Sequence, residues 1–188
     1  MYLFMKTNLH PLLLLLLFCL GHPAFSQKKS AKEEVAIKWV TFEQAVEMNK
    51  KNPKKIFVDV YTPWCHWCKV MEEKTYTNKK IAKYMNDNFY CVKFDAEGTD
   101  TVHFDGHTFS NKPPVNGHNN THALALSLLD GKLSFPSLVF LDGENKRITL
   151  MQSYLKPEDF EPVLKFVSTE AYKTKTFDDY YQTFKSDL

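Results

Sequence analysis

Cysteine is scarce: four among 188 residues, with Cys19 inside an apolar N-terminal run and Cys65, Cys68 and Cys91 beyond it. Those last three cannot all pair, so the chain is not a disulfide-built scaffold, even in an oxidising compartment where such scaffolds are common. An excess of one charge is also missing. Twenty-four Lys and Arg stand against 22 Asp and Glu, a formal net charge of +2, and no basic block carries interleaved aromatics. Nucleic acid is therefore not an expected partner. There is no internal repeat, and no apolar run reaches the roughly 20 residues that a membrane-spanning helix needs.

What the N-terminus does have is a short apolar stretch. Lys6 and His10 precede a run from Leu12 to Leu20, and Pro23-Ala24-Phe25-Ser26-Gln27 closes it with small residues. This pattern predicts a secretory signal peptide over residues 1–26, cut after Ser26. An uncleaved anchor is the rival, and lipidation at Cys19 a weaker one because bulky Phe18 stands just before it. Residues 27–38 then read as a leader, solvated through its charged stretch Lys28–Glu34. Roughly 160 residues remain, enough for one domain. The expected location is periplasmic or secreted.

The chemistry concentrates at Cys65-His66-Trp67-Cys68, directly after the apolar run Ile56-Phe57-Val58-Asp59-Val60-Tyr61. A continuous apolar run predicts a strand buried on both faces, so the cysteine pair sits where a strand gives way to a helix. A thiol at a helix N-terminus meets unpaired backbone N–H groups and the positive end of the helix dipole, and both favour the reactive thiolate. Cysteines separated by two residues also face each other across one helical turn, close enough to close a disulfide ring. The rival reading, half of a zinc site, needs two further ligands.

The remaining elements follow from caps and periodicity. Thr41-Phe42-Glu43-Gln44 is a capping box opening a helix to about Asn49. A helix is expected over about Cys65–Lys74, and Asn78 caps another through Met85. Phe89–Phe94 reads as a second buried strand, so strand, helix and strand form a right-handed parallel crossover. Val102–Phe109 alternates around Asp105-Gly106 as a hairpin. Lys112–Asn120 reads as loop, and Ala123–Leu129 as a short helix ended by Gly131. Ser137–Leu141 and Ile148–Tyr154 read as antiparallel strands, Pro157 opens a further helix, and Phe177, Tyr180, Tyr181 and Phe184 mark a closing one.

The stretch Phe57–Lys69, with Asp59 in the strand, Trp64 before the first cysteine and Lys69 after the second, resembles the active-site segment of thioredoxin-like proteins. Val92-Lys93-Phe94-Asp95 resembles that family's next strand, and Ser134-Phe135-Pro136-Ser137 its cis-proline loop. Cys-His-Trp-Cys followed by Val70-Met71-Glu72 is most similar to the exported or fused group related to the soluble domain of transmembrane disulfide-interchange reductases. It also resembles spermatogenesis-associated thioredoxin-like domains. The resemblance covers about Trp39 to Val167, apart from Gly98–Thr121.

That resemblance implies an α/β thioredoxin fold, a central mixed sheet flanked by helices. The domain would span residues 39–170 with an inserted hairpin and loop at about 98–121, before the cis-proline strand, and a C-terminal helix over 171–188. It implies a thiol–disulfide oxidoreductase in which Cys65 is the exposed nucleophile, Cys68 the buried resolving thiol and Asp59 a proton relay. Lys93 would approach that acid. Protein disulfides would be the substrates, a membrane or periplasmic thiol donor the source of electrons, and no cofactor or metal would be needed. Trp64 and Trp67 would form an apolar collar for docking peptide, although Trp67 packed on its own helix is the plainer reading. His66, if charged, would favour the Cys65 thiolate, while a neutral, outward His66 would do little. Phe135 and Pro136 would offer backbone to an extended substrate.

Other residues invite plainer readings. Cys91, mid-strand among apolar neighbours, is expected to be a buried inert thiol. His103, His107, His118 and His122 could suggest a metal, but no cysteine or carboxylate set completes a shell. The rival function is a binding module, whose groove holds cysteine-bearing chains while the Cys pair serves only as a latch.

Overall fold

The computed structural model describes Tyr2 and residues 35–111 and 120–188. All of the expected signal peptide but Tyr2, most of the leader and nearly all of the Lys112–Asn120 loop lie outside the described residues. The unit that carries the described elements runs from Glu34 to Leu188.

Its centre is a five-stranded mixed sheet in the order β1-β3-β2-β6-β7, with β1 Trp39–Val40, β2 Lys55–Tyr61, β3 Phe89–Asp95, β6 Ser137–Leu141 and β7 Arg147–Met151. β2 pairs with β3 in parallel, aligning Phe57 with Cys91 and Asp59 with Lys93. β6 runs antiparallel to both β2 and β7, with an irregularity at Phe140/Leu141. The expected parallel crossover is thus present, and so is the antiparallel closing pair. β1 is a two-residue strand alongside β3, too short to carry an alternation signal.

Side chains alternate across the sheet, and the alternation builds two apolar layers. Ile56, Val58 and Val60 face a cluster with Phe42, Ala45 and Val46 of α1 (Phe42–Lys51) and Leu124, Ala125 and Leu128 of α4 (Ala123–Leu128). Phe57, Cys91, Leu138 and Phe140 face the other way. They meet Met71 of α2 (His66–Met71), Ile81 and Met85 of α3 (Lys79–Asn88), and Phe160, Val163 and Leu164 of α5 (Pro157–Ser168). Each fully buried large side chain contributes about 1.5–3 kcal/mol, so the second layer is a rigid floor for whatever α2 carries.

The termini of these helices behave as their sequences dictate. Thr41 Oγ1 accepts from Gln44 N at 3.1 Å while Gln44 Oε1 accepts from Thr41 N at 2.9 Å, a complete capping box. Asn78 Oδ1 accepts from Lys80 N and Ile81 N. The hairpin of β4 (Val102–Phe104) and β5 (His107–Phe109) turns on Asp105 and Gly106, both at positive φ, as a two-residue turn of this hand requires. Phe104 meets Phe42 edge to face at 5.0 Å, seating the hairpin on the first layer.

One helix departs from expectation. The segment beginning at Cys65 is α-helical only to Met71, and Glu72–Tyr76 is a π-helical turn. The closing helix is also short, with a 3₁₀ turn at Ala171–Lys173 and α6 at Phe177–Gln182. Its aromatic stripe packs on α5 through Phe166, which meets Phe177 at 5.3 Å and Tyr180 at 5.2 Å.

Candidate active site

β2 delivers the chain to Thr62-Pro63-Trp64, a turn closed by Cys65 N donating to Thr62 O at 3.1 Å. Cys65 is the N-cap of α2, and its Sγ accepts from Cys68 N at 3.1 Å. Sulfur here fills the role that a Ser or Asp oxygen fills at an ordinary cap, and the same N–H would favour negative charge on Cys65. The two cysteines are joined in a disulfide with Cα atoms 5.4 Å apart. In this state the expected contrast of exposure is absent: Cys65 is 4% and Cys68 6% exposed. The two sulfurs differ in position instead, Cys65 at the cap and Cys68 one turn in, on the helix face it shares with buried Met71.

Aromatic side chains frame the pair. Trp64 is 65% and Trp67 55% exposed. Trp64 stands edge-on to Phe135 at 6.0 Å and donates from Nε1 to Glu97 Oε1 at 2.9 Å. Trp67 stacks on Tyr154 at 5.5 Å and meets His66 at 5.4 Å. The Phe135–Pro136 bond is cis. Phe135 divides two hollows, one of about 250 Å³ lined partly by Thr62, Trp64 and Leu133, and one of about 320 Å³ lined by Trp67, Phe135, Pro136, Ser153 and Tyr154. The structure thus brings Trp64, Trp67, Phe135 and Pro136 together around the cysteines. Tyr154 joins them, and only its place near the end of the expected last strand hinted at it.

Asp59 lies on the sheet face that α2 covers, two residues after Phe57. It is fully buried, and its Oδ1 has no hydrogen-bond partner. Burial pushes its pKa up to about 7, against the opposing pull of Lys93 and Tyr76. Lys93 is the register partner of Asp59, yet its Nζ bonds Glu72 Oε2 at 2.5 Å and lies 5.1 Å from the centre of the Tyr61 ring. Lys93 thus stands near enough to Asp59 to pull its pKa down, while its amine is held at the rim by the carboxylate that the π-helical turn presents there. Tyr76, at the inner end of that turn, is the polar neighbour the sequence reading missed; its pKa is raised well above the usual phenol value by burial and then by Asp59.

The other candidates have structural roles. Cys91 is buried, and desolvation pushes its thiol up to about 12. His122 caps α4: Nδ1 accepts from Leu124 N at 3.0 Å, and Nε2 contacts Asp100 O at 2.7 Å. His103 Nδ1 pairs with Thr108 Oγ1 across the hairpin. Among the described residues no group of three or more His, Cys, Asp or Glu side chains could hold a metal ion. His118 lies outside the described residues.

A family model described as Thioredox_DsbH, "Protein of unknown function, DUF255", matches residues 26–185. The chain belongs to this family. An uncharacterized protein of Caenorhabditis elegans is 31% identical over 134 residues, covering 68% of this chain but 16% of that protein. Spermatogenesis-associated protein 20 of Mus musculus is 42% identical over 55 residues, 29% of this chain and 7% of that protein. The chain therefore spans only a small part of the curated relatives it matches. A solved structure named DsbH Oxidoreductase superposes with a TM-score of 0.50 at 18% identity, over 74% of this chain and 87% of that one. The fold is that of thioredoxin, with a disulfide-capable Cys65–Cys68 pair in it.

Proposed function

We propose that this DsbH-like domain is an exported thiol–disulfide oxidoreductase that reduces or isomerises protein disulfides through Cys65 and Cys68. The observation that carries the reading is the cap of α2. Cys65 Sγ receives the Cys68 N–H while disulfide-bonded to Cys68, above a buried acid and inside an aromatic frame. Export rests on the apolar N-terminal run from Leu12 to Leu20 and the small-residue segment after it.

In the reduced protein, the Cys65 thiolate attacks one sulfur of a substrate disulfide. A mixed disulfide forms and the other substrate sulfur leaves as a thiolate. Cys68 gives up its proton, with the Asp59 carboxylate as acceptor. The Cys68 thiolate then displaces the second substrate sulfur, closing the Cys65–Cys68 disulfide. Two electrons have passed to the substrate, and an external dithiol, in the membrane or periplasm, must return them. Trp64, Trp67, Phe135 and Tyr154 supply an apolar surface for the peptide that carries the disulfide, as aromatic rings with one wet edge do at interfaces.

Replacing Cys68 with Ser removes the resolving thiol and tests the reading. The variant should accumulate mixed disulfides through Cys65 when incubated with a disulfide-bonded protein, visible as adducts that a reductant dissolves. Clients retained without covalent capture would instead favour a binding module with an inert pair.

A further inference from the structure

Beneath the cysteines, the sheet face holds two buried polar atoms without a hydrogen-bond partner, Asp59 Oδ1 and Tyr76 Oη. Buried polar atoms are almost always paired, so two such orphans on one face call for an explanation. The Tyr76 ring is held by Trp39 at 5.2 Å, Phe160 at 6.2 Å and Phe57 at 6.3 Å. Phe57 is two residues before Asp59, so ring and carboxylate stand on the same face of β2. The phenol lies close enough to the carboxylate to act on it as a hydrogen-bond donor, lowering the Asp59 pKa and raising its own, yet the contact falls short of a well-formed hydrogen bond and leaves Oδ1 and Oη without a full partner.

The π-helical turn explains how Tyr76 comes to be there. Met71 and Tyr76 are five residues apart and both belong to the second apolar layer. In a continuous α-helix five residues would leave them on different faces, whereas i→i+5 bonding stacks them. Thr75 Oγ1 fixes the turn by donating to Leu155 O at 2.6 Å. At the outer end of the same turn, Glu72 holds the Lys93 amine. One local irregularity thus engages the lysine at the rim and brings a phenol to the buried side.

We propose that Tyr76 is the positioning residue of the Asp59 proton site, its phenolic hydrogen turning onto the carboxylate whenever Asp59 ionises. The contact belongs to the folded protein whatever the protein does. Its catalytic consequence, that Tyr76 sets how readily Asp59 takes the Cys68 proton, rests on the oxidoreductase reading above. The other charged or titratable groups that act on the acid are Lys93 and Tyr61 from the strands and Glu72 from the turn, while Cys91 lies on the same face of β3 and Cys68 on the helix that covers it. Of these, Lys93 favours the charged form and Glu72 opposes it.

The test is a carboxyl-carbon NMR titration of Asp59 in the oxidised protein, wild type against Tyr76→Phe. Losing the donor should raise the Asp59 midpoint by about one pH unit, a tenfold change in its ionisation constant. An unchanged or lowered midpoint in the folded variant overturns the proposal. The wild type gives a second readout that needs no variant: the ring carbon bonded to the Tyr76 hydroxyl should shift with the Asp59 midpoint. A resonance that stays flat through that pH range also overturns it. The acid limb of the rate of exchange with a disulfide-bonded peptide should move with Asp59 in Tyr76→Phe. If the coupled titration is present but the wild type shows no exchange, the contact stands and the oxidoreductase reading fails.

Discussion

Asp59 is a costly residue for this fold. Its pKa in the native protein is pushed up to about 7 by burial, whereas in the unfolded chain it is free to ionise near 3.8. Below about pH 3 both states hold the proton, so Asp59 imposes no penalty. As pH rises from there to about 7 the unfolded chain ionises first, the native state holds more protons, and stability falls. Above about 7 the loss is complete. Asp59→Asn keeps the shape without the charge, so it should match wild type in urea unfolding at pH 3. At pH 8 it should be more stable by up to about 4 kcal/mol. Parallel stability curves at the two pH values would mean that Asp59 is not a buried, perturbed acid. The residue stood out in the sequence because a carboxylate interrupts an apolar strand. Tyr76 did not, because its burial depends on a turn whose period differs from that of the helix before it.

At the scale of elements, the ends of α1 and α3 were legible because capping is local chemistry. Thr41 with Gln44, and Asn78 ahead of Lys80 and Ile81, satisfy orphan N–H groups within a few residues. Long-range partners were not legible. Asn49, near the end of α1, is buried and ties three segments together. Its Nδ2 donates to Gly143 O at 2.9 Å and to Asn145 Oδ1 at 3.0 Å, and its Oδ1 accepts from Lys54 N at 2.8 Å. Its sequence neighbours gave no sign of a turn nearly a hundred residues away. Asn49→Ala leaves buried backbone groups unpaired on both sides and should cost about 2–3 kcal/mol in chemical denaturation. A loss under 0.5 kcal/mol would show that solvent replaces those bonds. Glu161 tells the same story on α5. It pairs with Lys165 at 2.9 Å and accepts from Asp187 N at 2.8 Å, and helix periodicity alone gave no reason for a buried carboxylate there.

For the molecule as a whole, the strand order β1-β3-β2-β6-β7 places β2 at the centre of the sheet, between β3 and β6. The cysteine motif lies just past the C-terminal end of β2, with a packed layer on either face. The parallel crossover was readable from the two apolar runs and the helix between them, and the architecture as a whole from the family resemblance that the Cys-x-x-Cys pair, the strand acid and the Phe135-Pro136 loop carry. The aromatic frame was readable only in part. Trp64 and Trp67 announce themselves beside the cysteines, while Tyr154 reaches Trp67 through the tertiary fold.

The central claim is that Cys65 and Cys68 exchange electrons with other thiols, and equilibration of the domain with glutathione redox buffers tests it most directly. The account predicts a reversible two-electron transition of this pair alone, within the roughly −270 to −120 mV spanned by working sites of this kind, with Cys91 remaining a free thiol throughout. A pair that stays oxidised or stays reduced across that whole range would contradict it.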